Sequence, residues 1–365
     1  MTRLYLIRHA EAEGNLYRIA QGQDNSNLTD RGWRQVRALE RRFVDIPVDA
    51  VYASDLYRTC ATASALYQPK GLPLHRRPDL REICVGSWER RTWGDIARES
   101  PEQMDAFSHH PERWHVEGAE TPEQVLERVL KAIETIAAEQ AGKTAAVVSH
   151  GYAIRLLLAH LQGIPLEKLG ETPTGDNTAV SLLEAEEGVL RVVFRDDNRH
   201  LKTPEFLAGE KVRRRANALE PGLWFRPLQL PQQADTLREL LEGREAGFDA
   251  ERLLSDAAGQ MTLVGYLREE PVGVVQLGPE PERICRLWIR PDCRRRGFGT
   301  QLIGQAVQNA RQSGKERLIA ELEEEHPAAG FFADHGFRPA GTLADGRRYL
   351  EKNIGFLPEF LSGTL

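Results

Sequence analysis

The segment Leu4-Tyr5-Leu6-Ile7-Arg8-His9 opens the chain with a short apolar run that ends in an arginine and a histidine. Such a run, bounded by polar residues, is typical of a buried strand. Three more runs of this kind follow after stretches with helical periodicity: Ala50 to Ala53, Ala145 to Val148 and Ala179 to Leu183. Strands that alternate with helices predict an α/β domain with a mainly parallel sheet over the first two hundred residues.

The helix before the third strand has the clearest start. Thr121 and Gln124 have the spacing of a capping box, and Pro122 stands at the first helical position. Apolar residues then recur every three or four positions, at Val125, Val129, Ile133 and Ile136. This spacing predicts a helix with one face packed against a sheet.

Polar residues suited to a phosphate group follow three of the predicted strands. These are Arg8-His9, the segment Ser54 to Thr59 with Arg58, and Ser149-His150-Gly151. Ligands of open parallel sheets bind beyond the carboxyl ends of the strands. We therefore expect two arginines and two histidines to converge at one edge of the sheet.

Each of these residue types has a task in phosphoryl transfer. Planar guanidinium groups bind phosphate oxygens with paired, charge-assisted hydrogen bonds. One histidine must be neutral to attack phosphorus, with its other ring N–H held by an acceptor, and the second can stay protonated to stabilise charge. Glu82 is the candidate proton donor, because a partly buried carboxylic acid has the raised pKa that this step requires.

Over about residues 2 to 201, the sequence resembles the histidine phosphatase superfamily, the phosphoglycerate-mutase-like group. The matching motifs are Leu6-Ile7-Arg8-His9-Ala10-Glu11 with Asn15, Leu28-Thr29-Asp30-Arg31-Gly32, Ser54-Asp55-Leu56-Tyr57-Arg58-Thr59, Leu80-Arg81-Glu82, Gly86-Ser87-Trp88-Glu89, Ser149-His150-Gly151, and Asp196 to Leu201. The resemblance implies a three-layer α/β/α domain with a mainly parallel sheet.

The resemblance also implies roles for individual residues. His9 is the expected phosphorylated nucleophile, and Glu82 the expected proton donor. The groups expected to hold the phosphoryl group are Arg8, Arg58 and His150, with Asn15 and Gly151 contributing to substrate binding. Family members usually have glycine where Ala10 stands.

Mutases and phosphatases of this family share the pocket, so its residues do not separate the two activities. The mutases carry a longer cap, whereas the segment Leu80 to Glu120 here is compact and resembles the broad-specificity or α-ribazole phosphatases. Hydrolysis of a small phosphorylated metabolite is therefore favoured, with phosphoglycerate mutase activity as the alternative. The cap histidines His109, His110 and His115 lack carboxylate or cysteine partners and are expected to face solvent.

The periodic pattern breaks after about Lys202 and restarts near Trp224. Prolines, glycines and the basic run Lys211 to Arg215 predict a surface linker between two domains. The later strands and helices include a strand, turn and helix over Leu287 to Ile303 with Gly297 and Gly299 at the turn. Glycines there let the backbone approach an anion, and the first N–H groups of the helix can bind phosphate oxygens.

From about Leu223 to Asn353 the sequence resembles the GNAT N-acetyltransferases, whose acyl-CoA motif is met by Arg294, Gly297 and Gly299. The resemblance implies an α+β domain with a mixed sheet that uses acetyl-CoA as cosubstrate and an amine as acceptor. The residues it assigns to acetyl-CoA binding are Leu287, Trp288, Ile289, Arg294, Arg295, Arg296, Gly297, Phe298, Gly299 and Thr300.

One position departs from the common GNAT pattern. Phe332 stands where many members have a tyrosine that protonates the CoA thiolate, and phenylalanine has no proton to donate. Two readings stay open: an active transferase, or a domain that only binds CoA as a regulator. Glu321 and Glu323 are either helpers in amine deprotonation or, as we favour, surface charges at a strand end.

Composition limits the remaining possibilities. The chain has 365 residues and a formal net charge of −6, which argues against a nucleic-acid-binding protein. Four cysteines without a Cys-x-x-Cys pair favour a reducing compartment, and no apolar stretch is long enough to span a membrane. We expect a cytoplasmic protein, and the sequence does not indicate its oligomeric state.

The sequence thus predicts a bifunctional enzyme, with a phosphomonoesterase domain and a probable N-acetyltransferase domain, neither of which is expected to need a metal. The predicted boundaries are 1–205 for the phosphatase domain, 206–222 for the linker, 223–353 for the GNAT domain and 354–365 for a C-terminal tail.

Overall fold

The computed structural model describes residues 1–210, 222–235, 238, 250–257, 259–322, 326, 328–343 and 346–361. The basic run Lys211 to Arg215, most of the predicted linker and Glu323 lie outside the described residues. The four domain boundaries therefore stay a prediction. None of the helices in the described ranges has the length and apolar character needed to cross a membrane.

The first part of the chain forms a six-stranded sheet in the order β3-β2-β4-β1-β5-β6. Its strands are β1 (Thr2–Arg8), β2 (Ala50–Ala53), β3 (Leu74–Arg76), β4 (Thr144–Ser149), β5 (Val180–Glu186) and β6 (Val189–Asp197). β1, β4, β2 and β3 pair in parallel, as the alternation of strands and helices predicts.

The fourth predicted strand differs from that expectation, because β5 runs antiparallel to β1 and continues into antiparallel β6. Glu187 and Gly188, which join the two strands, both have positive φ angles of 52° and 81°. A two-residue turn of this kind matches the twist of a hairpin, so the chain reverses there instead of crossing over. The start of β5 consequently lies at the same edge as the end of β1.

Helices cover both faces of this sheet and complete the three-layer α/β/α architecture. They are α1 (Glu13–Tyr17), α2 (Asp30–Phe43), α3 (Tyr57–Tyr67), α4 (Trp93–Glu99), α5 (Pro101–His109), α6 (Pro122–Glu139), α7 (Gly151–Leu161) and α8 (Pro204–Ala208). α2 and α3 pack on one face, and α6 and α7 on the other. The capping box of α6 and the burial of its four predicted apolar residues are confirmed.

The second part forms a seven-stranded mixed sheet in the order β12-β13-β11-β10-β9-β8-β7. Its strands are β7 (Trp224–Pro227), β8 (Thr262–Leu267), β9 (Glu270–Leu277), β10 (Arg283–Ile289), β11 (Arg317–Leu322), β12 (Arg338–Thr342) and β13 (Arg348–Asn353); its described helices are α9 (Ala250–Asp256), α10 (Phe298–Gln312) and α11 (Ala329–Asp334). Only β10 and β11 pair in parallel.

The two sheets are joined by a close helix contact, because α1 lies on α10. Tyr17 is buried within the apolar cluster of the second domain. A Cβ at Gly304 of α10 would lie 2.6 Å from the Cβ of Tyr17, so the approach requires glycine. Glu13 and Arg311 form an ion pair of 2.6 Å across the same contact.

The C-terminal segment returns to the first domain. Phe356 and Phe360 pack against Tyr57, the first tilted and the second edge-on, with ring centroids 4.9 and 5.8 Å away. Phe360 is buried in the apolar cluster between the first sheet and α2 and α3. The C-terminal segment thus packs on α3, the helix that also carries Arg58.

Candidate active sites

The parallel pairing of β1 with β4 brings the two predicted catalytic histidines together. Arg8 is the register partner of Ser149, so His9 and His150 follow side by side at the carboxyl ends of neighbouring strands. Their ring centroids are 5.3 Å apart. The convergence that the strand ends predict is present in the structure.

His9 has the hydrogen bonding expected of a nucleophile. Its Nδ1–H donates to the carbonyl of Ala10 at 2.7 Å, which leaves Nε2 as the ring nitrogen with a lone pair. The side chain is 4% exposed. Burial, with the charges of Arg58 and Arg8, holds its pKa well below the usual value, so the ring is neutral at pH 7.

His150 differs from the expectation of a histidine that stays protonated. Burial, Arg58 and His9 lower its pKa well below the usual value. No described residue lies within hydrogen-bonding distance of either ring nitrogen, although the side chain is fully buried. Buried polar atoms without partners are costly, so their presence beside His9 indicates a built binding site for a hydrogen-bonding anion.

Arg8 and Arg58 use part of their donors for protein contacts and keep part for the pocket. Arg8 Nη1 donates to the carbonyl of Gly175 at 2.6 Å, while Arg58 donates from Nη1 to Asp24 and from Nη2 to Gly22, both at 2.8 Å. The Nε atom of each arginine is buried and meets no acceptor among the described residues. Burial lowers the pKa of Arg58 to about 10, which still leaves it charged at neutral pH.

Gly151 leaves room for one of these guanidinium groups. A Cβ at this position would lie 3.1 Å from Arg8 Nε and 3.2 Å from Arg8 Cζ. Contacts between 3.0 and 3.4 Å force one of the two groups to move, so a side chain here would displace the arginine. The motif glycine therefore acts by making space next to the pocket.

Glu82 is hydrogen-bonded to the start of α7, the helix that follows His150. Its carboxylate accepts hydrogen bonds from the backbone N–H groups of Tyr152 at 3.1 Å and Ala153 at 2.9 Å. The unpaired N–H groups of a helix start are a natural anchor for a carboxylate. Burial lowers the pKa of Arg8 and Arg58, and the opposite charge of Glu82 acts against that shift.

Asn15 is the least integrated of the predicted residues. It is exposed, and its Oδ1 accepts from the N–H of Ala12 at 3.0 Å within α1. The structure adds Asn177 beside it, whose Nδ2 donates to the carbonyl of His9 at 2.9 Å and lies 3.5 Å from Asn15 Oδ1.

Sequence reasoning missed two positions that fix the nucleophile loop. One is Asn177, which enters the site only because β5 is antiparallel and begins at the carboxyl end of β1. The other is Thr62 on α3, which is fully buried and accepts from the N–H of Ala10 at 2.9 Å. A reading of the Glu187-Gly188 turn as a hairpin signal would have found Asn177, whereas no local signal marks Thr62.

The second site is built from the backbone at the start of α10. Gly297 has a φ of 85°, in the left-handed region, and precedes the first helical residue, Phe298. A Cβ at Gly297 would meet no heavy atom of the described residues within 4 Å, so the glycine is needed for its conformation and for access. Arg294 Nε donates to the carbonyl of Ile289 at 3.0 Å and ties the turn to β10.

The described pairing of β10 changes along its length. β10 pairs with β11 at Arg283 and Ile284, whereas from Leu287 to Ile289 its described register partners are those of β9. The turn with Gly297 follows this part of the strand.

The other predicted residues of this domain have mostly structural contacts. Phe332 is buried and packs edge-on against Phe337 at 5.1 Å. Glu321 forms ion pairs with both Arg283 and Arg347, and its side chain is 13% exposed. Thr300 Oγ1 and His335 Nε2 are hydrogen-bonded at 2.8 Å in the first turn of α10.

The described residues contain no group of three or more histidine, cysteine, aspartate or glutamate side chains arranged to hold a metal ion. The three cap histidines are exposed, as expected, but two of them have carboxylate partners that the sequence did not indicate: His109 contacts Asp105 at 2.9 Å, and His110 contacts Glu112 at 3.8 Å.

Comparison with known proteins finds a matching family for each of the two domains. The model of the histidine phosphatase superfamily (branch 1) matches residues 4–198, and the model of the acetyltransferase (GNAT) family matches residues 228–337.

The first half has similar curated and solved proteins. Phosphoserine phosphatase 1 of Hydrogenobacter thermophilus is 29% identical over 187 residues, covering 51% of this chain and 88% of the relative. The adenosylcobalamin/α-ribazole phosphatase of Escherichia coli K12 is 30% identical over 167 residues, covering 46% and 82%. The structure of Bacillus stearothermophilus YhfR is 30% identical with a TM-score of 0.54, and the match covers 55% of this chain and 100% of YhfR.

The superfamily match spans more than half of the chain and coincides with the six-stranded domain that holds His9 and His150. The protein therefore belongs to the histidine phosphatase superfamily and carries a GNAT acetyltransferase domain in the same chain.

Proposed function

We propose that this protein hydrolyses a small phosphomonoester through a phosphohistidine at His9 and transfers an acetyl group from acetyl-CoA to an amine. The observation that best supports the first activity is a set of buried side-chain nitrogen atoms near His9 that have no described hydrogen-bond partner. Arg8 Nε, Arg58 Nε and both ring nitrogens of His150 have no partner among the described residues. A phosphoryl group supplies acceptor oxygens for the two arginine N–H groups and for the ring nitrogen of His150 that carries a proton.

In the first proposed step, His9 Nε2 attacks phosphorus, a P–N bond forms and the P–O bond to the leaving group breaks. Nδ1 stays hydrogen-bonded to the Ala10 carbonyl, which stabilises the positive charge that the ring acquires. Arg8, Arg58 and His150 hold the three other oxygens. Glu82 gives its proton to the departing alkoxide oxygen.

In the second step, a water molecule attacks the phosphohistidine. Glu82, now a carboxylate, takes a proton from the water as the new P–O bond forms and the P–N bond breaks. Inorganic phosphate leaves, and His9 returns to its neutral form with the same tautomer.

Hydrolysis is proposed over mutase activity because the segment Leu80 to Glu120 is compact. Relatives of both kinds match the chain: besides the two phosphatases, the protein named probable phosphoglycerate mutase GpmB of Erwinia tasmaniensis is 30% identical over 165 residues, which covers 77% of that relative. A mutase would return a phosphorylated product from 3-phosphoglycerate faster than inorganic phosphate. Product analysis by phosphorus NMR separates the two outcomes. The substrate panel should include phosphoserine and α-ribazole phosphate, after the names of those relatives.

The test of this function uses the full chain and a radiolabelled phosphate ester. Wild-type protein is expected to form an acid-labile, alkali-stable phosphoryl adduct, and the His9→Ala variant to form none, with turnover at least about 10⁴-fold lower. His160→Ala is a matched control, because His160 is exposed on α7. Full turnover in His9→Ala would refute the proposal.

For the second activity, acetyl-CoA supplies an activated thioester. The N–H groups at the start of α10 would hold its phosphates, and the backbone of β10 from Leu287 to Ile289 would lie beside its amide groups. Phe332 cannot protonate the thiolate, so the proposal relies on water or another donor at that step.

Two measurements on the full chain separate a transferase from a CoA-binding regulator. Acetyl-CoA is expected to raise the melting temperature in either case. A transferase releases free thiol when an amine from the panel is added, and phosphoserine serves here too because it carries an amine. A regulator instead changes the phosphatase rate with acetyl-CoA while no thiol appears with any amine.

A further inference from the structure

Arg128 on α6 joins the segment that carries Glu82 to the side chain of Glu120. Nη1 donates to the carbonyls of Asp79 at 3.1 Å and Arg81 at 2.7 Å, and Nη2 to the carbonyl of Glu82 at 2.9 Å. The remaining two donors reach Glu120 Oε1 and Oε2 at 2.7 and 2.8 Å. All five N–H groups of the side chain are therefore engaged.

Glu120 extends this contact to both sides of Glu82. Its Oε2 also accepts from the N–H of Cys84 at 2.9 Å and from Gln23 Nε2 at 3.2 Å. Gln23 Nε2 in turn lies 3.2 Å from the carbonyl of Glu82. The backbone before, at and after Glu82 is thus held by one ion pair.

The Glu82 carboxylate accepts hydrogen bonds from the N–H groups of Tyr152 and Ala153 at the start of α7, and from the N–H of Ile83 at 3.2 Å. Residues 81 to 84 form no regular strand or helix and lie between two short turns. Their described backbone–backbone hydrogen bonds run from the Arg81 N–H to Pro78 and from the Glu120 N–H to Cys84. The side chains of Arg128 and Glu120 therefore supply much of the hydrogen bonding that holds the backbone at Glu82.

We infer that Arg128 and Glu120 are positioning residues that hold Glu82 where it can protonate the leaving group. All five N–H groups of Arg128 donate to protein acceptors, so none is left to bind the phosphate. Arg128 therefore affects catalysis by fixing the position of Glu82. This inference rests on the proposed phosphatase function. It deepens that function by naming residues on which the proton-transfer step depends, in addition to those at the reacting atoms.

The expected signature is a dependence on the leaving group. p-Nitrophenolate leaves without a proton, whereas the alkoxide of glycerol 2-phosphate needs one. The Arg128→Lys variant keeps the positive charge but cannot make the five bonds. Its rate of phosphohistidine formation in single turnover is expected to fall about 10²-fold with glycerol 2-phosphate and less than about tenfold with p-nitrophenyl phosphate.

A double-mutant cycle with Glu82→Gln gives the decisive comparison. In the Glu82→Gln background, Arg128→Lys should cause little further loss with glycerol 2-phosphate, because the group that it positions can no longer donate in the same way. Glu120→Gln provides a second variant with nearly unchanged volume and should show the same selectivity. Lys131→Met, at an exposed position one turn further along α6, is the control and should match the wild type.

The outcomes separate the two proposals. If the wild-type protein forms no phosphohistidine with either substrate, the proposed function is wrong, and the inference falls with it. If wild-type protein reacts with both but Arg128→Lys and Glu120→Gln slow the two substrates equally, the positioning role alone is wrong. Full additivity in the cycle would overturn it as well.

Discussion

The protein holds two predicted anion sites that are built in opposite ways. The phosphate pocket presents the side chains of Arg8, His9, Arg58 and His150, which come from the ends of separate elements and are largely buried. The second site, which we call the cradle, consists of the turn from Arg294 to Gly297 and the first residues of α10, and it is proposed to bind acetyl-CoA. It presents mainly backbone groups, and its Arg294 and Arg295 side chains are exposed.

This difference follows from the chemistry that each site is proposed to perform. A group that accepts a phosphoryl group must be a side chain, and it needs a dry setting in which charge is effective. A site that only binds a pyrophosphate can use N–H dipoles that every residue carries. The first site should therefore respond strongly to changes in side chains, and the second to changes in backbone conformation.

Among the changes that compare the two sites, the largest effect is expected for Arg58→Lys. Lysine cannot keep the bonds to Gly22 and Asp24 and also offer a planar donor to the pocket. Loss of one such donor lowers kcat/KM by about 10² to 10³-fold, measured with p-nitrophenyl phosphate. The matched change in the cradle, Arg295→Lys, should alter the acetyl-CoA Kd less than about fivefold, as for an exposed charge. Equal sensitivity of the two sites would contradict the comparison.

A second prediction concerns the contact that joins the two regions. Gly304→Leu places a side chain where Tyr17 lies, and overpacking of this kind costs about 1–3 kcal/mol. Calorimetry should show a lower melting temperature or a separation of the domains into two transitions. Gly330→Ala is the control, because a Cβ there meets no described heavy atom within 4 Å. An unchanged thermogram for Gly304→Leu would mean that the helices are not in contact in solution.

Gly297→Val tests the backbone character of the cradle. A left-handed conformation costs an L-residue about 1–2 kcal/mol, so the turn should move and weaken acetyl-CoA binding about tenfold. Asparagine tolerates this conformation better, and Gly297→Asn should stay closer to the wild-type Kd. Calorimetric titration measures both. If valine and asparagine weaken acetyl-CoA binding equally, the loss is caused by the added side-chain volume and not by the left-handed φ at position 297.

The smallest expected effect is the uptake of protons when an anion binds in the phosphate pocket. Burial and positive neighbours depress the pKa of His150 in the free protein, and a bound dianion offsets part of both effects, so the pKa rises on binding. Sulfate, which stays doubly charged, should therefore bind with uptake of up to about one proton near pH 6. Titrations in buffers with different ionisation enthalpies measure this uptake. Burial and the same arginines depress the pKa of His9, so His9 also takes up protons when the dianion binds. His150→Gln should therefore reduce the uptake, and the double variant with His9→Gln should abolish it. Acetyl-CoA binding at the cradle should show none.

Much of both sites could be predicted because their signals are local. A catalytic residue at a strand end is read from the few residues around it, and a glycine turn before a helix is read in the same way. The architecture, the approach of His9 to His150 and the capped helix α6 are present in the structure. The roles of the individual site residues stay predictions that the variants above test.

What local reasoning missed depends on distant contacts. Asn177 reaches His9 across 168 residues, and Arg311 reaches Glu13 across 298. α10 shows why such contacts are not predicted from a sequence pattern. Gly304, Gln308 and Arg311 form a stripe without apolar side chains at helical spacing, which is typical of the solvent-facing side of a helix. In the structure this stripe contacts the first domain.

The sequence by itself determined the types of element, the residues at their ends and the two kinds of anion chemistry, because hydrophobic periodicity and turn chemistry act over a few residues. Only the tertiary structure decided that β5 is antiparallel, that α1 lies on α10, and that Phe360 returns to the first core. It also decided the protonation of His150, since a pKa depends on burial and on charges that the fold brings together.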